Sequence, residues 1–124
     1  INDKIIPVIC VGETLEQKEK NLTKSIITEQ LEKGISENSN FQNTVIAYEP
    51  VWAIGTGLTP SLNEIEEVHS FIKEVDKKFN NYKVLYGGSV NASNSADINS
   101  LNSVDGCLVG GSSLNVDEFN KIIS

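Results

Sequence analysis

Short apolar runs alternate four times with segments of helical periodicity along this chain of 124 residues. Strands are predicted at 5–11, 44–48, 83–86 and 107–109, and helices at 15–35, 59–79, 92–101 and 116–123. This alternation, with no linker and no low-complexity segment, is typical of an α/β fold with a parallel sheet and right-handed crossovers. Four parallel strands alone leave two edges and one apolar face uncovered. The order therefore predicts one half of an eight-stranded β/α barrel.

Local signals refine two of these elements. The run 5–11 is continuously apolar, which predicts a strand buried on both faces. The second helix begins either at Thr59, followed by Pro60, or at Ser61 in a capping box with Glu64. The asparagines at 80–81 are expected to end it.

Composition excludes several classes of function. A net charge of −7 argues against nucleic acid and against an anionic membrane surface as partners. No run approaches the ~20 apolar residues that cross a bilayer. Cys10 and Cys107 have neither metal-ligand spacing nor a framework of pairs, so we expect reduced thiols in a cytoplasmic protein.

The chain contains no methionine, and its first residue is Ile1. Translation starts with methionine, and its removal is usual only before a small residue. We therefore expect this sequence to be a piece of a longer polypeptide.

Residues 47–57, Ala-Tyr-Glu-Pro-Val-Trp-Ala-Ile-Gly-Thr-Gly, indicate a catalytic base beneath a lid. The second predicted strand ends with a single carboxylate, Glu49, and Pro50 stops the strand because it has no N–H for the ladder. A loop of small residues follows. Its bulky members are Trp52 and Ile54, and its expected pivots are Gly55 and Gly57.

Three glycine-containing loops follow three successive strands, at 55–57, 87–89 and 110–111. In β/α barrels the site lies at the carboxyl ends of the strands, and the loops after the last two strands often bind phosphate. Glycine allows backbone N–H groups to approach an anion closely. The sequence therefore predicts a phosphate site built from backbone donors.

Four motifs resemble the triosephosphate isomerase family. They are the 47–57 string, Cys10-Val11-Gly12-Glu13-Thr14-Leu15, Tyr86-Gly87-Gly88-Ser89-Val90, and the segment 105–114, Asp-Gly-Cys-Leu-Val-Gly-Gly-Ser-Ser-Leu. The resemblance implies a TIM (β/α)8 barrel in which residues 1–124 are the C-terminal half of a single domain. It also implies a homodimeric enzyme of glycolysis and gluconeogenesis, with no metal or organic cofactor.

The resemblance implies a role for each site residue. Glu49 is the base that moves a proton through an enediolate between dihydroxyacetone phosphate and glyceraldehyde 3-phosphate. Ser89 and the hydroxyl of Tyr86 bond to the closed lid, and Leu108 packs with Ile54 against the base. The phosphate-binding set is Gly55, Ser89, Gly110 and Gly111; the lid and supporting set is Cys10, Pro50, Trp52, Ile54, Gly57, Tyr86 and Leu108.

The family's electrophilic histidine and substrate-facing lysine belong to the N-terminal half of the barrel. The one histidine here, His69, lies within the second predicted helix, where we expect a packing or helix-surface residue. The chain alone is therefore expected to be inactive and to need the N-terminal half as partner.

The sequence leaves the roles of two residues, and the function of the chain as a whole, undecided. Cys10 is either a buried small residue or a positioner of Glu49, and Glu13 either caps the following helix or joins the polar network of the site. As a whole, the chain is alternatively a non-catalytic half barrel that binds a phosphate ligand, or a truncated remnant.

Overall fold

The four strands form one parallel sheet whose order follows the chain. The computed structural model describes residues 4–124, so Ile1 lies outside the described residues. The strands are β1 (Val8–Val11), β2 (Val45–Tyr48), β3 (Val84–Tyr86) and β4 (Gly106–Cys107). The helices are α1 (Leu15–Glu19), α2 (Thr23–Gly34), α3 (Leu62–Glu74), α4 (Ser95–Asn99) and α5 (Val116–Ile123). The predicted four β/α units and parallel sheet are confirmed.

The two faces of the sheet differ in burial because side chains alternate along each strand. Ile46 and Tyr48 of β2 and Val84 and Tyr86 of β3 point to one face, where they join the core residues of α2 and α3. On the opposite face the register aligns Cys10, Ala47, Leu85 and Gly106. Glu49 continues this second face, so the candidate base lies on the side opposite the main core.

The prediction of a first strand buried on both faces is wrong. The strand begins at Val8, and Ile5 and Ile6 before it are 68% and 60% exposed. Val8 and Cys10 are also exposed. The physical reason is position, since β1 is an edge of the sheet and pairs only with β2 among the described residues.

The predicted helix 15–35 is in fact two helices, α1 and α2. Asn21, between them, has a φ of 59°, a left-handed conformation that ends helical hydrogen bonding and that asparagine tolerates better than most residues. The first of the two helices starts with a capping box between Thr14 and Gln17. Thr14 therefore caps this helix, and the capping role considered for Glu13 is wrong.

The second long helix takes the later of its two predicted starts. Ser61 accepts a hydrogen bond from the backbone N–H of Glu64, and the Glu64 side chain returns one to the N–H of Ser61. The helix ends at Glu74, earlier than predicted, because Asp76 adopts an extended backbone. Phe79 lies in a separate 3-10 turn, yet it remains buried. None of the helices within residues 4–124 combines the length and apolarity needed to cross a membrane.

His69 is a packing residue with no exposed surface. Its ring lies 5.7 Å from the ring of Tyr48 and 6.2 Å from that of Tyr86, measured between centroids. Among residues 4–124, no group forms a well-aligned hydrogen bond with either ring nitrogen. Burial lowers the pKa of His69 to about 4, because an imidazolium there would lose its hydration; Lys73 acts in the same direction, and Glu66 and Asp105 oppose it.

Acid should therefore destabilise this chain through His69. The unfolded imidazole takes up a proton near pH 6.5 and the folded one near pH 4, so its contribution is complete above pH 6.5 and is lost between pH 6.5 and 4. We expect the free energy of unfolding to fall by about 2 kcal/mol more between pH 7 and 5 than in His69→Phe. Urea unfolding of both chains at the two pH values measures this difference, and equal losses would contradict it.

Candidate active site

A cavity of about 420 Å3 lies where β2, β3 and β4 end. It brings Glu49 and the three glycine loops together, although these are far apart in sequence. Its lining residues are Glu49, Ile54, Gly55, 87–91 and 108–112. All four residues expected to bind phosphate, Gly55, Ser89, Gly110 and Gly111, line this cavity.

The backbone at Glu49 is held against the segment that follows β1. The Glu49 N–H donates to the carbonyl of Val11 at 2.7 Å, which extends the ladder by one residue. Gly12 lies directly against the next peptide, since a Cβ added to Gly12 would be 1.8 Å from the Glu49 carbonyl oxygen. Glu49 is thus placed by a close approach that only glycine allows.

Gly87 makes room for the side chain of Glu49. A Cβ on Gly87 would lie 2.6 Å from Glu49 Cγ and 3.1 Å from Oε1. The sequence identified Gly87 as part of a loop but not as a neighbour of the base, and it did not identify Gly12 as a site residue. Both follow predicted strands and lie within motifs that resemble the family, and these were the available signals.

Cys10 lies beside the base, on the same face of the sheet. Surrounding protein atoms, then the negative charge of Glu49 and a hydrogen bond with its carboxylate, raise the pKa of the Cys10 thiol. The interpretation of Cys10 as a buried small residue is wrong, because its side chain is exposed at the edge strand, and a role in positioning Glu49 stays a prediction.

The segment after Glu49 has the backbone that a lid requires at its two ends. Pro50 is buried and precedes a 3-10 turn at Val51–Ala53. Gly55 and Gly57 have φ values of 67° and 77°, which side-chain-bearing residues rarely adopt. Apart from the adjacent residues of the chain, no described atom lies within 4 Å of where a Cβ would stand at either glycine. The positive φ, and not a lack of space, is therefore the reason for glycine at these positions.

Side-chain contacts from outside the segment reach Trp52 and Ala53, in its first part. The Ser89 hydroxyl donates to the carbonyl of Ala53, so the expected bond between this serine and the lid is present. Thr56 Oγ1 donates to the carbonyl of Trp52 at 2.7 Å. The ammonium of Lys18 lies 5.0 Å from the centre of the Trp52 ring, a cation–π contact between the lid and α1.

The hydroxyl of Tyr86 does not bond to the lid. It is buried and has no hydrogen-bond partner among the described residues. Tyr86 is aligned with Tyr48 in the register, so its side chain points to the helix-packed face while Gly87 faces the cavity. Burial raises the pKa of Tyr86. The sequence motif indicated the residue but not the face to which its side chain points.

Two apolar side chains line the cavity that contains Glu49. Ile54 comes from the lid and Leu108 from the loop after β4, and they are 47% and 36% exposed. Part of each side chain is open to water, and their packing against Glu49 stays a prediction.

Glu13 joins a buried polar network behind the lid. It is 1% exposed and accepts hydrogen bonds from the Tyr48 hydroxyl at 2.5 and 3.1 Å and from Thr23 at 3.4 Å. Burial and then the Glu13 carboxylate raise the pKa of Tyr48. The backbone carbonyl of Glu13 accepts a hydrogen bond from the N–H of Val51 at 2.9 Å, which ties this network to the lid. Sequence reasoning did not identify Tyr48.

The site residues come from three consecutive strand ends of a parallel sheet, with a carboxylate on one and glycine loops on all three. The sequence model of the triosephosphate isomerase family matches residues 1–124. The chain belongs to the triosephosphate isomerase family. Within residues 4–124, the histidine, cysteine and acidic side chains form no cluster that could hold a metal ion.

Members of the family resemble this chain closely. A triosephosphate isomerase of Endomicrobium trichonymphae is 44% identical over 96% of this chain and 50% of its own length. One from Francisella tularensis subsp. mediasiatica is 47% identical over the whole chain and 52% of its own length. The crystal structure of triosephosphate isomerase from Bartonella henselae superposes with a TM-score of 0.84 at 36% identity, over 95% of this chain and 49% of that one.

The chain thus spans about half the length of the triosephosphate isomerases it matches. Its four-stranded parallel sheet, with the strands in sequential order, is the corresponding half of a TIM barrel. The predicted fold class is confirmed.

Proposed function

We propose that this chain is the C-terminal half of a single triosephosphate isomerase domain and provides its base and its phosphate loops. The complete protein would interconvert dihydroxyacetone phosphate and glyceraldehyde 3-phosphate in glycolysis and gluconeogenesis. The observation that carries the proposal is the cavity in which Glu49 and three glycine loops converge. We further propose a cytoplasmic homodimer for the complete protein, as in the family.

The proposed chemistry is a proton transfer between adjacent carbons. The Glu49 carboxylate takes a proton from the carbon next to the substrate carbonyl, and the electron pair left behind forms an enediolate with its charge on oxygen. The carboxylic acid then returns the proton to the neighbouring carbon, while a proton moves from the first enediolate oxygen to the second, so that the first becomes the new carbonyl, the second becomes a hydroxyl and the base is regenerated. The apolar side chains of Ile54 and Leu108 reduce hydration of the carboxylate as a lid closes, which strengthens it as a base.

Stabilising the enediolate oxygen requires groups that this chain does not place in the cavity. His69 is buried on α3 against Tyr48 and Tyr86, on the face of the sheet opposite the one that carries Glu49. It therefore cannot reach a substrate beside Glu49. In the proposal, the electrophile and a facing lysine come from the N-terminal half of the barrel.

Backbone donors would hold the phosphate group. The described residues that line the cavity include no lysine or arginine, and four of them are the predicted phosphate-binding residues. Neutral N–H groups on glycine loops bind a dianion without requiring a cationic side chain. This mode suits a chain whose net charge of −7 would repel the substrate at a distance.

A mixing experiment tests the proposal. We expect the purified chain alone to show no isomerase turnover, and turnover to appear when it is combined with a separately produced N-terminal half. Circular dichroism of each half and of the mixture establishes whether folding has occurred. A folded mixture that shows no turnover would contradict the assignment of Glu49 and the loops.

A second candidate is a half barrel that binds a phosphate ligand without catalysis. The predicted phosphate-binding residues all line one cavity within this chain, whereas the proposed electrophile is not among the residues that line it, which favours this function for the chain in isolation. Calorimetric binding of 2-phosphoglycolate by the chain, with no turnover in any mixture, would support it. A chain that aggregates and binds nothing would instead indicate a truncated remnant, because exposed parallel edges and apolar surface promote association.

A further inference from the structure

The side-chain amide of Gln30 forms two hydrogen bonds with the backbone of Gly12. The Gly12 N–H donates to Gln30 Oε1 at 2.8 Å, and Gln30 Nε2 donates to the Gly12 carbonyl at 3.1 Å. Gln30 is half-buried on α2, eighteen residues along the chain. The amide thus satisfies the donor and the acceptor of one residue at once, which fixes the orientation of its backbone.

Gly12 in turn contacts the peptide that joins Glu49 to Pro50. A Cβ on Gly12 would be 1.8 Å from the Glu49 carbonyl oxygen and 3.1 Å from the Pro50 nitrogen. Pro50 has no N–H, so this peptide has no donor with which to fix its own position. The hydrogen bonds on either side belong to the N–H groups of Glu49 and Val51.

We propose that Gln30 is a positioning residue for the base, because it holds Gly12 in the place that sets the Glu49–Pro50 peptide. The amide does not line the cavity that contains Glu49, so it acts through Gly12 rather than on a substrate. The expected effect on turnover rests on the proposed isomerase function. The effect of Gln30 on the position of Glu49 is independent of that function.

Removing the amide should leave two backbone groups of Gly12 without partners in a partly buried place. The loop then shifts to recover hydrogen bonds with water, and the peptide of Glu49 shifts with it. A misplacement of about 1 Å at a catalytic group can cost up to roughly 100-fold in rate. The phosphate loops are untouched, so substrate binding should change little.

The main test uses Gln30→Met, which keeps length and volume but removes both hydrogen bonds. In the mixture of the two halves, we expect kcat to fall by roughly 10- to 100-fold while KM stays close to that of the parent. Gln30→Glu retains the acceptor for the Gly12 N–H and loses the donor, so its kcat should lie between those of the parent and of Gln30→Met. This variant replaces Gln30→Met in the test if the methionine variant does not fold. The exposed Gln42→Met is the matched control, with no expected change.

A second readout needs no turnover. Burial and then the Glu49 carboxylate raise the pKa of the Cys10 thiol, so the pH dependence of alkylation of Cys10 by iodoacetamide responds to a change in the distance to the carboxylate. In a Cys107→Ser background, we expect the Gln30→Met chain to show a Cys10 pKa that is shifted downward from the parent's. This measurement remains informative if the parent mixture is inactive and the proposed function fails.

Two outcomes would overturn the proposal. One is a Gln30→Met chain that is less stable in urea but has the parent's kcat, KM and Cys10 profile, since a purely structural glutamine would behave in this way. The other is a loss of kcat that the Gln42→Met control shares.

Discussion

Replacing Glu49 by glutamine should abolish most turnover of the reconstituted barrel. Glutamine has nearly the same shape, but its amide cannot take a proton from carbon at neutral pH. Loss of a general base typically costs ~10²–10⁴ in rate, and we expect a fall of this size in kcat. Binding of 2-phosphoglycolate should remain largely intact, because the proposed phosphate donors lie in the loops at 87–89 and 110–111.

The measurement is steady-state isomerase turnover of the two-half mixture, with calorimetry of ligand binding alongside it. The matched control is Glu37→Gln, an exposed carboxylate outside the cavity, which should leave kcat unchanged. Near-normal turnover in Glu49→Gln would show that another group is the base.

Replacing Gly12 by alanine should damage both folding and turnover. The added Cβ would be 1.8 Å from the Glu49 carbonyl oxygen and 2.4 Å from its carbon, and both are backbone atoms that cannot rotate away. Relief requires the two loops to separate, which breaks the close approach that places the base. We expect the free energy of unfolding to fall by about 1–3 kcal/mol or more.

Urea unfolding of the chain gives the stability, and turnover of the mixture gives the effect on the base. Gly34→Ala is the matched control, because its Cβ would meet only Ile9 Cγ2 at an ordinary 3.4 Å. At the end of α2 it should stabilise by up to about 1 kcal/mol through helix propensity. Equal stabilities for the two variants would show that the loop at Gly12 is free to move.

Local patterns predicted most of the secondary structure. Apolar runs located all four strands, and the capping box at Ser61 and Glu64 marked the start of α3. Two helix boundaries escaped prediction, at Asn21 and at Asp76. Each depends on the backbone conformation of a single residue, which apolar periodicity does not report.

The site was predicted better in its residues than in its contacts. Glu49, Gly55, Ser89, Gly110 and Gly111 do line one cavity. Tyr86, in contrast, places its side chain on the helix-packed face of the sheet, because one step along a strand reverses the face of a side chain, and its hydroxyl has no partner among the described residues. The roles of Gly12 and Gly87 depend on close contacts with Glu49, which is distant in sequence. A local motif therefore could not indicate which atoms approach these glycines.

The sequence by itself determined the order of the elements, the carboxylate at the end of β2 and the glycine loops, because these depend on local periodicity and on single residue types. Only the tertiary structure decided which groups share a face and how closely the loops approach. Gln30 and Gly12 are eighteen residues apart, and their two hydrogen bonds exist only once α2 has packed beside β1. The exposure of Cys10 was decided in the same way, since an edge strand is defined by what lies beside it.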